Sequence, residues 1–272
     1  MNLKTRSYQA ELLDNDEIPS EDLYRNLREL DFINSYLGGH SIILDGIKYF
    51  INLIHKEYSE YLFISEYSNI KDISKTIQNT INSNLLRNIV FSINSETLRI
   101  YEIGSGGGDN LRAISRFLNK NSISHSLGGI DLKEDCVRFA ENFKTLNTAI
   151  NYEIADYQMA TFPNGQPHII FNSLFCHHFN DDDLVKMLQW MHKNSEIGFV
   201  IADLHRHPLA YYSIKWLTAL FSKSYLVKND APLSVLRGFS RNEWEILMEK
   251  AGIKNYKIKW KWAFRWLILV EK

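Results

Sequence analysis

The sequence predicts an α/β fold: a mostly parallel sheet of seven strands ending in an antiparallel hairpin, helices on both faces, and an N-terminal helical cap. Three observations lead there. After Glu96, short apolar β-favouring runs alternate with helical patterns, which specifies a parallel sheet covered on both faces. The last two runs lie too close together for a crossover helix, so they must pair antiparallel. Before Glu96, apolar residues recur at three- and four-residue steps with no strand signal.

In the N-terminal part, Leu23, Leu27, Leu30, Ile33 and Leu37 mark a first helix. Ser20 is its expected N-cap, Glu21 and Asp22 suit the helix dipole, and Gly38-Gly39 supplies a stop. A second helix is expected from near Ser41 through Ile47, Phe50 and Ile54, and one or two more after Ser68, through Ile73, Ile77, Ile81 and Ile89. Strands are expected at Leu98–Ile103, Ser126–Asp131, Ile150–Ala155, His168–Asn172 and Ile197–Asp203. Helices are expected at Leu111–Asn119, Glu134–Leu146 and Asp182–His192. Ser240 and Glu243 have capping-box spacing for a helix at Trp244–Ala251, which Gly252 closes. In the hairpin, Lys257, Lys259 and Lys261 alternate with Ile258, Trp260 and Trp262, and Trp266–Val270 is a continuous apolar run. The division expected is residues 1–95 as a helical cap over the substrate and residues 96–272 as the sheet domain.

Composition narrows the function. The chain has 272 residues, 45% hydrophobic and 23% charged, enough for one large domain with a cap. Lys+Arg 31 against Asp+Glu 32 gives a net charge of -1, which argues against nucleic acid as the main partner. Cys136 and Cys176 have no CxxC spacing, so neither a disulfide scaffold nor a structural zinc site is expected. The first residues lack a signal-peptide core, and no window approaches ~18 consecutive apolar residues, so a cytoplasmic protein with no membrane partner is expected.

The chemistry centres on Glu102-Ile103-Gly104-Ser105-Gly106-Gly107-Gly108-Asp109. A glycine-rich turn from strand to helix lets a ligand approach the backbone at a helix N-terminus. The dinucleotide fingerprint needs a third glycine where Asp109 stands, and a carboxylate there repels pyrophosphate. No Gly-Lys-Ser/Thr follows, which excludes a P-loop. Two acids around such a loop suit a ligand with cationic character. Asp131, ending the second strand, can accept from both hydroxyls of a ribose, and Asp156, ending the third, from an adenine amino group flanked by Leu132 and Tyr157.

Glu-x-Gly-x-Gly-x-Gly at 102–108, with Asp131 and Asp156, resembles the class I S-adenosylmethionine-dependent methyltransferases over roughly Leu98 to Lys272. The resemblance implies S-adenosylmethionine as cofactor, held by Glu102, Gly104, Ser105, Gly106, Gly108, Asp131, Leu132, Asp156, Tyr157 and Asn172. The segments from Glu11, Ile201 and Val235 also look like a bacterial small-molecule subgroup, often linked to aromatic polyketide or quinone-type metabolism.

Methyl transfer from a sulfonium mainly requires alignment, exclusion of water and help with the acceptor's proton. The loops after strands four and five carry His177, His178, His205 and His207. His177 or His178 is the expected base, with His205 near the acceptor. Tyr211, Tyr212, Trp216, Arg237 and Phe239 are expected around a planar apolar acceptor, the tryptophans of the hairpin in the core. A metal reading of His205-x-His207 with Asp203 is set aside, because the motif sits at a strand end with Pro208 following and no further ligand is obvious. Asn172-Ser173-Leu174-Phe175 lacks both prolines of the base N-methyltransferase motif. The expected activity is methylation of a small aromatic or polyketide-like acceptor, at a hydroxyl oxygen. The alternatives are C- or N-methylation, a cofactor-binding regulator without turnover, and a nicotinamide oxidoreductase. A homodimer through the N-terminal helices is compatible with the pattern.

Overall fold

A computed structural model describes residues 3–15, 17–67, 97–143 and 150–272. The helices expected after Ser68 lie outside the described residues, as does the end of the one expected at Glu134–Leu146. The strands are β1 (Leu98–Ile103), β2 (His125–Asp131), β3 (Ile150–Ile154), β4 (Ile169–Ser173), β5 (Gly198–Leu204), β6 (Tyr256–Lys261) and β7 (Arg265–Glu271). They form one seven-stranded sheet in the order β3-β2-β1-β4-β5-β7-β6. Pairings from β3 across to β5 are parallel; β7 runs antiparallel to both β5 and β6. Only residues 262–264 separate β6 from β7, which forces the reversal. The chain leaves β1 toward β2 on one side and returns to β4 on the other, so a crevice opens between the carboxyl ends of β1 and β4.

The helices are α1 (Ser20–Tyr36), α2 (Gly39–Tyr67), α3 (Asp109–Lys120), α4 (Glu134–Glu141), α5 (Asp181–Asn194), α6 (Pro208–Phe221), α7 (Tyr225–Arg237) and α8 (Arg241–Lys250). α1 starts at Ser20 with Pro19 as its cap, and the expected Ser20 side chain instead meets Asp135. α2 follows α1 almost without a gap, because Gly38 turns the chain at φ +81°. The capping box at the start of α8 forms: Ser240 Oγ accepts from Glu243 N, and Glu243 accepts from Ser240 N. α6 and α7 lie between β5 and α8.

The sheet's alternating side chains make two cores. On one face Ile42, Ile43, Ile47 and Phe50 of α2, with Leu111, Ile114 and Leu118 of α3, cover Ile100, Phe171, Val200 and Leu267. On the other, Leu184, Met187 and Leu188 of α5 and Trp244 and Leu247 of α8 cover Ile103, Phe199, Ile201 and Ile268. α2 is thus a layer of the sheet core. It lies so close that a Cβ on Gly46 would sit 2.5 Å from Val200 Cγ1. Val200 is β-branched and fully buried, so it cannot swing aside. Gly46→Ala should cost about 1–3 kcal/mol by overpacking, read as a lower urea midpoint. An unchanged midpoint would mean that α2 does not approach this closely.

The hairpin tryptophans divide. Trp266 is buried, while Trp260 and Trp262 are 47% and 69% exposed. The sequence places all three in the core, but β6 is an edge strand and the helices cover only its start, at Ile258. Among the described residues, no helix is long and apolar enough to cross a membrane.

Candidate functional site

The turn after β1 is shaped by its glycines. Gly108 sits at φ +70°, and a Cβ there would fall 2.1 Å from the Tyr152 hydroxyl, so another residue would be strained and would have to displace that side chain. Asp131, at the end of β2, pins the loop: Oδ2 accepts from Gly106 N at 2.7 Å and Oδ1 from Lys133 N at 2.9 Å. Burial pushes the Asp131 carboxyl up, against these hydrogen bonds. Glu102 is buried at the end of β1, where Oε1 accepts from Asn110 Nδ2 at 2.8 Å. Burial, with Asp109 beside it, pushes its carboxyl well above the usual range.

These groups line a cavity of about 860 Å³ beyond the carboxyl ends of β1 to β4. Glu102, Gly104, Ser105, Gly106, Asp131, Leu132, Asp156 and Tyr157 all reach it, as the sequence suggested. Gly108 lies behind the loop. Asn172 does not reach the cavity: it is fully buried, its amide packed on Met187 and Met191 and its carbonyl accepting from Cys176. The next residue, Ser173, faces the cavity instead, as the period of two along a strand requires.

Does this cavity fit an amino-acid-bearing sulfonium nucleoside? Among the described residues, seven buried side-chain polar atoms have no partner, and four of them belong to its lining: Glu102 Oε2, Ser105 Oγ, Asn110 Oδ1 and Ser173 Oγ. Unpaired buried acceptors are costly unless a ligand's donors complete them. Seven acids line the cavity against Lys133 and Arg138, which suits a cationic ligand and opposes polyphosphate. The residues present fit. Asp109, however, is already engaged: Oδ2 meets His40 Nε2 at 2.7 Å and Asn34 Nδ2 at 3.2 Å. Burial acts to raise its carboxyl, but His40 and Asn34 hold it below the ordinary value. It ties the N-terminal helices to the glycine loop.

A second cavity, of about 360 Å³, adjoins the first. Leu30 and Ile33 of α1, Leu37 just after it, Leu174, Leu204, and Ile214 and Leu217 of α6 make it apolar. Its polar wall is Glu11, His177, His178, Asp230 and Ser234. Leu13, Leu30, Leu174 and His178 line both cavities, which therefore share a wall.

His177 Nδ1 is 2.8 Å from Asp203 Oδ1, and His178 Nδ1 is 2.8 Å from Asp14 Oδ1. His177 is buried. Burial acts to raise Asp203, but His177 holds it below the ordinary carboxylate value. His205 lines neither cavity; it accepts from Trp260 Nε1 at 3.3 Å and packs beside His207 and Trp266. Asp203 turns to His177, so Asp203, His205 and His207 do not converge. Tyr211, Tyr212, Trp216 and Phe239 line neither cavity either. On α6 the helical period turns Ala210, Ser213, Ile214 and Leu217 inward and those aromatics elsewhere. Phe239 is core.

Arg237 has a different place from the one expected. It is buried, donating from Nε to His177 O and from Nη2 to His178 O, both at 2.9 Å, and from Nη1 to Gln9 O at 2.8 Å. It fastens the histidine turn to the N-terminal segment. Glu11, Leu13 and Asp14 of that segment were missed as site residues, since only their acidic capping pattern shows in the sequence.

Residues 100–196 match a family described as methyltransferase domain. No curated protein sequence matches the chain. Among solved structures it is similar to the plantazolicin methyltransferase BpumL in complex with a triazolic desmethylPZN analog and SAH. That match has TM-score 0.51 and 15% identity, and covers 92% of this chain and 99% of that one. The BpumL complex with SAH gives 0.50 and 16%, covering 92% and 98%. Magnesium protoporphyrin IX methyltransferase (ChlM) from Synechocystis PCC 6803 gives 0.45 and 11%, covering 73% and 82%. The chain spans only 50%, 55% and 59% of the length of three other chains it matches. The family match over residues 100–196 and the seven-stranded sheet with β7 antiparallel agree with the fold expected from the sequence, and a methyltransferase domain implies S-adenosylmethionine as its cofactor.

Proposed function

We propose that this chain methylates a hydroxyl oxygen of a small, largely apolar aromatic acceptor. The observation that carries this reading is the shared lining at Leu13, Leu30, Leu174 and His178, where an acid-lined cavity suited to a cationic nucleoside adjoins a smaller apolar one. In this reading Glu102, Ser105 and the glycine loop hold the amino-acid end of the cofactor. Asp131 holds the ribose, and Leu132, Asp156 and Tyr157 the adenine. S-adenosylmethionine, when bound, supplies a methyl group on a cationic sulfur that an acceptor oxygen displaces in line.

The chain's own residues do the rest. Apolar walls from α1 and α6 exclude water and seat the acceptor ring. Its hydroxyl lies toward the end formed by Glu11, His177 and His178, which takes up the proton as the oxygen becomes nucleophilic. Asp14 and Asp203 orient the two imidazoles, and Arg237 holds the turn that carries them. The N-terminal residues through Leu37 act as the cover over both cavities.

Calorimetric titration with S-adenosylmethionine, followed by labelled-methyl transfer to a panel of phenols, tests this reading. Leu217→Trp should fill the smaller cavity, leaving cofactor binding intact while cutting transfer at least about tenfold through the acceptor's KM. Absence of cofactor binding, or NADH binding in its place, would defeat the proposal. Cofactor binding with no transfer to any acceptor would point to a regulator.

A further inference from the structure

The polar end of the smaller cavity contains three groups held from behind and converging in front. His177 and His178, adjacent in the tight turn Cys176–His178, stack with ring centroids 4.4 Å apart. Each gives its Nδ1 to a carboxylate, Asp203 and Asp14 respectively, at 2.8 Å. With Nδ1–H donated, Nε2 of each ring is the lone-pair atom. Both Nε2 atoms face Glu11: that of His177 is 3.6 Å from Oε1, and that of His178 is 3.9 Å from Oε2.

Those separations are too long for hydrogen bonds. They are near the spacing of about 3–3.5 Å between neighbouring ligands of one ion whose bonds are about 2.1 Å. A carboxylate behind the imidazole is also how metal-ligating histidines are oriented and made more basic. Charge points the same way. Glu11, Asp14, Asp203 and Asp230 are gathered here against Arg237 and Arg265, so the wall carries uncompensated negative charge when the imidazoles are neutral. In a second cluster, Asp31, His40 and Asp109, His40 Nε2 already touches Asp109 at 2.7 Å, whereas at Glu11, which Ser234 and Arg237 approach from the side, neither histidine Nε2 is in hydrogen-bond contact with the carboxylate. The second cluster is closed by its own contacts.

We propose that Glu11, His177 and His178 bind one divalent first-row transition-metal ion in a two-histidine, one-carboxylate site opening into the smaller cavity. Imidazole with carboxylate suits zinc or ferrous iron rather than magnesium or calcium. The inference deepens the methylation reading and rests on it for the identity of the acceptor: one bearing paired oxygens, a hydroxyl beside a carbonyl or second hydroxyl, which would fill the open positions. The ion, held by Glu11, His177 and His178, would supply Lewis acidity that makes the hydroxyl more acidic; Glu11 would take up its proton, and the acceptor oxygen would keep the electron pair.

The full chain, stripped with a chelator, would be titrated with Zn²⁺ by calorimetry and with Co²⁺ by visible absorption, without cofactor or acceptor. About one ion per chain is expected, with cobalt bands of nitrogen–oxygen ligation. Affinity should fall at least about tenfold in Glu11→Gln and His178→Gln, and not in His205→Ala. Failure of the wild type to bind, or undiminished affinity in both ligand variants, overturns the site; so does loss of binding in His205→Ala. Thermal melts identify any variant that does not fold, and the wild-type stoichiometry and cobalt spectrum decide without it. S-adenosylmethionine is titrated separately. Ion binding without cofactor binding would defeat the methylation reading alone, and cofactor binding without ion binding would defeat the metal site alone.

Discussion

Asp131→Ala should weaken S-adenosylmethionine binding at least about 100-fold, the larger part of it through the loop rather than through one lost ligand contact. The Asp131 carboxylate accepts from Gly106 N and Lys133 N, fixing the glycine turn to the end of β2. Hydrogen bonds to a charged acceptor contribute about 1.5–3 kcal/mol each, so two of them exceed the ~2.7 kcal/mol that a 100-fold change requires. Alanine leaves both N–H groups without their acceptor and removes the carboxylate proposed to take ribose hydroxyls. Asp131→Asn keeps one carbonyl acceptor and should fall between the two. Asn172→Ala is the informative contrast. Asn172 faces Met187 and Met191, so its loss should lower stability and leave cofactor affinity unchanged. Calorimetry on folded variants decides, and wild-type affinity in Asp131→Ala would remove the foundation of the cofactor assignment.

Asn172 also shows where sequence reasoning stops. The end of β4 was found from its apolar run, yet the candidate was placed one position early, and one residue along a strand means the opposite face. Trp260 and Trp262 fail for a related reason: alternation identifies a face but not whether anything covers it. Features set by local backbone rules were legible. The glycine turn, the acids at the ends of β2 and β3, the antiparallel hairpin and the Ser240 capping box each follow from a few neighbouring residues. The acceptor side was not, because its partners are far apart in the chain. Arg237 reaches back 60 positions to the His177 carbonyl, and His178 meets Asp14 across 164. Nothing in the spacing of a single sequence encodes such meetings. The histidines were found as a pair; what they face was not.

Glu11 is the group through which that distant meeting becomes measurable. Burial pushes its carboxyl from 4.5 up to about 7, although His178, the Ser234 hydroxyl and Arg237 all favour the charged form; Asp230 opposes it. The folded protein therefore holds a proton on Glu11 in a pH range where the unfolded chain has released it. Stability from this group is complete below about pH 4.5 and drains away as pH rises through about 7. The gap corresponds to about 3 kcal/mol, an upper figure because the unfolded state and local rearrangement both soften it. In a chelator, Glu11→Gln should match the wild type near pH 5 and exceed it by up to that amount near pH 8. Urea unfolding at both values reads the difference. Asp14, held well below the ordinary carboxylate value chiefly by His178 against the cost of its burial, acts only in the acid range and does not interfere. Glu102 and Asp131 tilt the wild type in the same direction as Glu11, so the comparison rests on the difference between two proteins that share them. Parallel pH profiles would mean that Glu11 is already compensated in the folded chain. A divergence that closes when Zn²⁺ replaces the chelator would show that a cation can stand in for the missing proton, since an ion on the ionised carboxylate relieves the same buried charge.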